Sequence, residues 1–132
     1  ANRRNIDKYL RNIYAMDKLA SLQENISLLE MHKKSNEVAE GPMVEVEIQG
    51  VRIGDFVLVT FPGEVSVEVG LNIKKMSPHQ YTFPAGFTNG YIYYAPTVEQ
   101  YNGGVQEDCD CLIAPEWQNI YEEKVREILS IL

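Results

Sequence analysis

Positive charge is scarce in this 132-residue chain: twelve Lys and Arg face nineteen Asp and Glu, for a formal net charge of -7. No sequence-wide basic field gathers phosphate backbones or anionic lipid, so nucleic acid and membrane surfaces are poor candidate partners. Cysteine is equally sparse. Cys109 and Cys111 stand two apart, a spacing that puts both on one face of a strand and strains any disulfide between them. A cysteine-based zinc site needs further ligands nearby, yet the only histidines, His32 and His79, are each isolated in sequence and read as surface residues. The cysteines therefore read as small buried hydrophobes. No apolar run approaches the roughly 20 residues of a membrane span, and no secretory signal pattern opens the chain. No glycine-rich fingerprint follows the most apolar strand, only Pro62-Gly63-Glu64, which ranks a nucleotide-binding domain last among the α/β readings.

What remains is a chain with 45% hydrophobic residues, of a length that supports one buried core, and residues 1–132 are expected to form a single α/β unit. From Asn5 to about His32, Ile6, Leu10, Ile13, Met16, Leu19, Leu22, Ile26 and Leu29 recur at steps of three and four, which predicts one long amphipathic helix. Val44, Val46 and Ile48 alternate with polar residues and predict a half-exposed strand near 44–49. Phe56-Val57-Leu58-Val59-Thr60-Phe61 predicts a central strand within 53–61, closed by Pro62-Gly63. The segment Glu64 to Met76 fits both periods. It is read as a helix, because Glu64 and Glu68 come early and Lys74 and Lys75 late, as the helix dipole favours. A further strand is expected near 80–87, edge-like because of Pro84 and Gly86, and a fourth near 108–113. A short helical turn is expected at 98–101 and a closing helix at 115–132, with Trp117, Ile120, Val125, Ile128 and Leu132 facing a core. The expected architecture is a mixed sheet of three to four strands packed against the first, middle and last helices.

Two segments carry groups suited to chemistry. Glu64 lies just past the carboxyl end of the apolar strand, where ligand sites in open α/β sheets gather; the same position also suits a carboxylate that merely favours a helix N-terminus. The tyrosine-dense run Asn89 to Tyr94 follows another strand and can bring phenols and an amide to the same crevice, or simply supply amphipathic packing. Neither motif alone identifies a reaction.

Taken in order, Ile53-Gly54-Asp55, Pro62-Gly63-Glu64, Asn89-Gly90-Tyr91-Ile92-Tyr93-Tyr94 and the run Thr97, Glu99, Tyr101 resemble the neutral/alkaline ceramidase family, its bacterial members most closely. The resemblance covers roughly Val44 to Glu107, and the order and spacing of the motifs supply most of its specificity. It implies the C-terminal portion of a larger catalytic domain of a secreted, periplasmic or cell-envelope enzyme of sphingolipid metabolism. That enzyme is a zinc-dependent amidase cleaving the N-acyl bond of ceramide, or a related lipid amide. By match to the motifs, Glu64 is the carboxylate zinc ligand and Tyr94 the tyrosine ligand, while Asn89 and Tyr91 belong to the site wall. Zinc is then a cofactor of the full-length parent, and the upstream part of the same domain is the partner that completes the site.

The match has two gaps. The family's histidine ligands, and a Gly-Asp-x-Ser-Pro-Asn-like segment of its active site, lie upstream of the matched region. The tyrosine of a family Tyr-Glu pair is replaced, by Gln106 in an ungapped match or by Val105 when Gly103-Gly104 is aligned with a Gly-Gly-Tyr-Glu form. The isolated chain is therefore expected to be inactive. The rival expectation is a non-catalytic scaffold that keeps the fold and self-associates through exposed apolar surface.

Overall fold

The structure is a computed structural model that describes residues 2–103 and 110–132. It divides into two compact units, Ala1–Pro42 and Met43–Leu132.

The first unit is built on one helix, α1 (Asn2–Val38). Neither glycine nor proline occurs between Asn2 and Val38, and both follow at once in Gly41-Pro42, so the helix runs beyond both predicted ends. Ser21 and Ser27 donate their hydroxyls to the carbonyls of Asp17 and Gln23, four residues back, and so stay compatible with the helix. On this helix Ile6, Leu19 and Ile26 are each 56% exposed.

The second unit contains a three-stranded mixed sheet with the order β1 (Gly50–Ile53), β2 (Phe56–Thr60), β4 (Tyr81–Ala85), and a separate parallel pair, β3 (Glu64–Val65) with β5 (Tyr94–Ala95). β1 and β2 form an antiparallel hairpin whose turn, Gly54-Asp55, requires positive φ at its first position; Gly54 supplies it at φ 61°. The strand predicted near 44–49 is thus displaced to Gly50–Ile53, and the run 53–61 is split by the turn. Residues 44–49 still alternate, with Val46 and Ile48 half-buried and Glu45 and Glu47 exposed, and at their end Gln49 meets β2, its carbonyl accepting from the Thr60 amide at 2.9 Å and its amide donating to Thr60 Oγ1 at 2.8 Å. β4 pairs parallel to β2 and takes the sheet edge, where Pro84 removes no needed donor. Between them runs α2 (Val67–Met76), which buries Val69 and Ile73. Its start differs from the predicted one: Ser66 is the N-cap, accepting from the Glu68 amide at 3.2 Å, and Glu64 lies in a strand before the helix.

After β5 come a short helix, α3 (Val98–Gly103), and the long closing helix α4 (Trp117–Ile131). The strand expected near 108–113 falls partly outside the described residues; within them, Cys111 forms isolated bridges to Tyr93 and Tyr94. Val57, Val59, Phe61, Val69, Ile73, Ala95 and the α4 row Trp117, Tyr121, Val125, Leu129 make up the buried core. That row runs at steps of four. It bears out Trp117 and Val125, with Ile128 and Leu132 packed against the core, and corrects Ile120, which is 56% exposed while Tyr121 is 2% exposed. Tyr121 can be buried because its hydroxyl donates to the Thr60 carbonyl at 3.2 Å, and burial pushes that phenol's pKa upward.

This register gives a direct test. Leu129→Ala is expected to lower the unfolding free energy by about 2–5 kcal/mol in urea denaturation. Ile120→Ala is expected to change it by no more than about 0.5 kcal/mol.

Candidate active site

The site is assembled on the turn that ends β2. Phe61 is buried against Trp117 and Tyr121, with ring centroids 5.2 and 4.7 Å away, and the chain then passes through the buried residues Pro62 and Gly63. A Cβ at Gly63 would stand 2.7 Å from the Tyr93 carbonyl oxygen. Only glycine permits the two backbones to come so close. The tyrosine loop is hydrogen-bonded along this turn: Ile92 N to Pro62 O at 2.7 Å, Glu64 N to Tyr93 O at 2.9 Å, Phe87 N to Gly63 O at 3.2 Å and Thr88 N to Phe61 O at 3.1 Å. The loop follows the turn at the expense of backbone comfort, with positive φ at Phe87 (54°), Asn89 (62°) and Tyr93 (66°). Asparagine tolerates this conformation, whereas for two aromatic residues it is uncommon and persists only where the surroundings enforce it.

The short pair β3 and β5 follows from these bonds, and in its register Glu64 is the direct partner of Tyr94. Neighbours in register on parallel strands project to the same side. Both residues line one open depression of about 140 Å³, together with Val65, Ser66, Ala95, Pro96 and Gln100. Tyr91, exposed on the loop, reaches across and donates its hydroxyl to Glu64 Oε1 at 2.7 Å. The Tyr91 ring lies parallel to Phe87 at 5.5 Å, with an interplanar angle of 6°, and 5.1 Å from the Tyr93 ring. That hydrogen bond and the negative charge behind it push the Tyr91 pKa up to about 12.

Of the residues singled out in the sequence, Glu64 and Tyr94 are adjacent, Tyr91 is bonded to Glu64, and Asn89 sits exposed on the turn before Tyr91. Val105, Gln106, Glu107 and Cys109 lie outside the described residues. The histidines differ from the surface role expected of them. His79 is half-buried, its Nε2 3.0 Å from the Leu129 carbonyl, which ties the turn after α2 to the end of α4. His32 is half-buried on α1. Among the described residues, no group of three or more His, Cys, Asp and Glu side chains is placed to hold a metal ion. Ser66, Phe87 and Gln100 were not anticipated as neighbours of the site. Ser66 had a signal, since serine is a favoured N-cap just ahead of a helical run, while Phe87 and Gln100 meet the site only through the fold.

The Tyr91 hydrogen bond has a spectroscopic consequence. In alkaline titration followed by tyrosinate absorbance, one phenol is expected to ionise near pH 12, and Glu64→Gln is expected to return it toward 10 by removing the charged acceptor. The sign follows from the raised value: the bond's contribution to stability is complete below pH 10 and disappears as the pH rises through 12.

No family profile and no curated protein matches the chain. Solved structures do. A ceramidase described as complexed with C2 superposes over 62% of this chain with a TM-score of 0.55 and 25% identity. The neutral ceramidase of Pseudomonas aeruginosa superposes over 62% with a TM-score of 0.52 and 25% identity. The chain spans about 14% of the length of each. In fold, then, this chain is a neutral-ceramidase-like segment.

Proposed function

We propose that this chain works as part of a larger zinc-dependent hydrolase that cleaves the N-acyl bond of ceramide or a related lipid amide, to which it contributes Glu64 and Tyr94 as metal ligands. The observation that carries the reading is the side-by-side register of these two residues on a neutral-ceramidase-like fold. A carboxylate and a phenolate are oxygen donors compatible with zinc, and Glu64 retains Oε2 for a cation while Oε1 accepts from Tyr91. Two donors make half of the usual four-coordinate shell. The remaining ligands are assigned to histidines on an upstream part of the same catalytic domain, so the isolated chain is inactive. When bound, zinc supplies Lewis acidity toward the amide carbonyl and a more acidic water. The chain's own part is to hold the carboxylate and phenol at the mouth of the depression, beside the exposed aromatic rings Phe87 and Tyr91, which offer an apolar surface to a lipid chain.

In the full-length protein, Glu64→Ala and Tyr94→Phe are each expected to lower bound zinc, measured by atomic emission, and to reduce hydrolysis of a fluorescent N-acyl sphingoid amide at least 100-fold. Unchanged zinc content and rate in Glu64→Ala removes that residue from the site.

A second reading, a non-catalytic module that self-associates, is favoured by the exposed apolar residues of α1 and by the absence of a tyrosine at the family's Tyr-Glu position. It predicts dimers or larger species of the 132-residue chain in multi-angle light scattering, reduced to monomer by Leu10→Glu with Ile13→Glu. A monomer at high micromolar concentration counts against it.

A further inference from the structure

We infer that Tyr91 is the positioning residue for Glu64: its hydroxyl captures one carboxylate oxygen, fixes the rotation of the carboxylate, and directs the other oxygen to the cation. The inference rests on the proposed metal role of Glu64 and adds a second residue that sets its geometry. A glutamate that opens a two-residue strand has three rotatable side-chain bonds, and holding it in one orientation costs conformational entropy. The Tyr91 hydroxyl removes much of that freedom in advance, through a 2.7 Å bond to Oε1.

The tyrosine is itself held. Its ring is stacked on Phe87 and tilted against Tyr93. The loop carrying all three rings is bonded to the Phe61–Gly63 turn through the Ile92, Phe87 and Thr88 amides. The positive φ values at Phe87 and Tyr93 are conformations the loop keeps in order to place these rings. Partners of this kind, which orient a metal ligand without touching the metal, typically govern affinity by about 10- to 100-fold.

The test uses the full-length protein with zinc as the probe. Tyr91→Phe keeps the ring and its stacking and removes only the hydroxyl. It is expected to lower the zinc-free melting temperature only slightly, as loss of one exposed hydrogen bond does, to weaken zinc affinity in competition with a chromophoric chelator by about 10- to 100-fold, and to lower kcat more than it changes KM at saturating zinc. Phe87→Leu, which keeps the hydroxyl but removes the stacking partner, is expected to weaken zinc affinity by a smaller factor. Carbonyl-region NMR of the protein labelled at glutamate Cδ gives a readout independent of activity: the Glu64 resonance is expected to shift in Tyr91→Phe and to hold its position in a control, Tyr101→Phe. Zinc affinity within twofold of the parent in Tyr91→Phe, together with zinc loss in Glu64→Ala, overturns the positioning role and leaves the hydrolase reading in place. If Glu64→Ala also keeps its zinc, the hydrolase reading fails and takes this inference with it.

Discussion

The arrangement depends on one close approach, that of the Gly63 backbone to the Tyr93 carbonyl. With a Cβ at Gly63 the oxygen would be 2.7 Å away, and the hydrogen bond from the next amide, Glu64 N to Tyr93 O at 2.9 Å, could not keep its length. Glu64 meets Tyr94 only because that bond sets the register of β3 against β5. A pair of strands two residues long has little stability of its own, since each such bond contributes only about 1 kcal/mol net. The register must therefore be imposed from outside the pair.

The core imposes it. Phe61 anchors the turn in an aromatic cluster with Trp117 and Tyr121, and the same two α4 residues reach the backbone on either side of the site. Trp117 Nε1 donates to the Pro96 carbonyl at 2.8 Å, just beyond β5, and the Tyr121 hydroxyl donates to Thr60 at the end of β2. One helical turn of α4 thus fixes the exit of β2 and the exit of β5 together. The depression between them lies at the carboxyl end of the central strand, where α/β sheets open their crevices. Stability and site geometry share these residues, so damage to the aromatic cluster reaches Glu64 without touching it.

Much of this was legible in the sequence, for identifiable reasons. The near-continuous apolar run Phe56–Phe61 marked the central strand, and charge order marked α2, because burial on both faces and the helix dipole each leave a local signature. The hairpin was displaced because alternation at 44–49 reports only that Val46 and Ile48 face inward, and carries no information about which segment finds a partner strand. Glu64 was assigned to a helix because Val65 to Ile73 satisfies both periods, and the arbitrating contact, with a segment thirty residues later, is not local. The α4 face was misjudged at one position, Ile120 in place of Tyr121, because a tyrosine counts as polar until its hydroxyl has a buried acceptor, which Thr60 supplies. For the site, the order of motifs pointed to Glu64, Tyr94, Asn89 and Tyr91, yet the bond between Tyr91 and Glu64 spans 27 residues and follows from no spacing rule.

On the hydrolase reading, the geometry also restricts how the site is completed. Glu64 and Tyr94 project from neighbouring strands to the same side, and the backbones beneath them are occupied by the Tyr93, Asp110 and Gly63 hydrogen bonds. One carboxylate oxygen already accepts from Tyr91. On this reading a cation held by this pair rests on the open side of the depression, which Ser66, Pro96 and Gln100 also line. Any further ligand then approaches from that open side. A site divided in this way, with two oxygen donors on a rigid floor and the remaining donors arriving from above, becomes metal-competent only when the covering part is in place. Neither half alone reaches the three or four ligands that zinc requires.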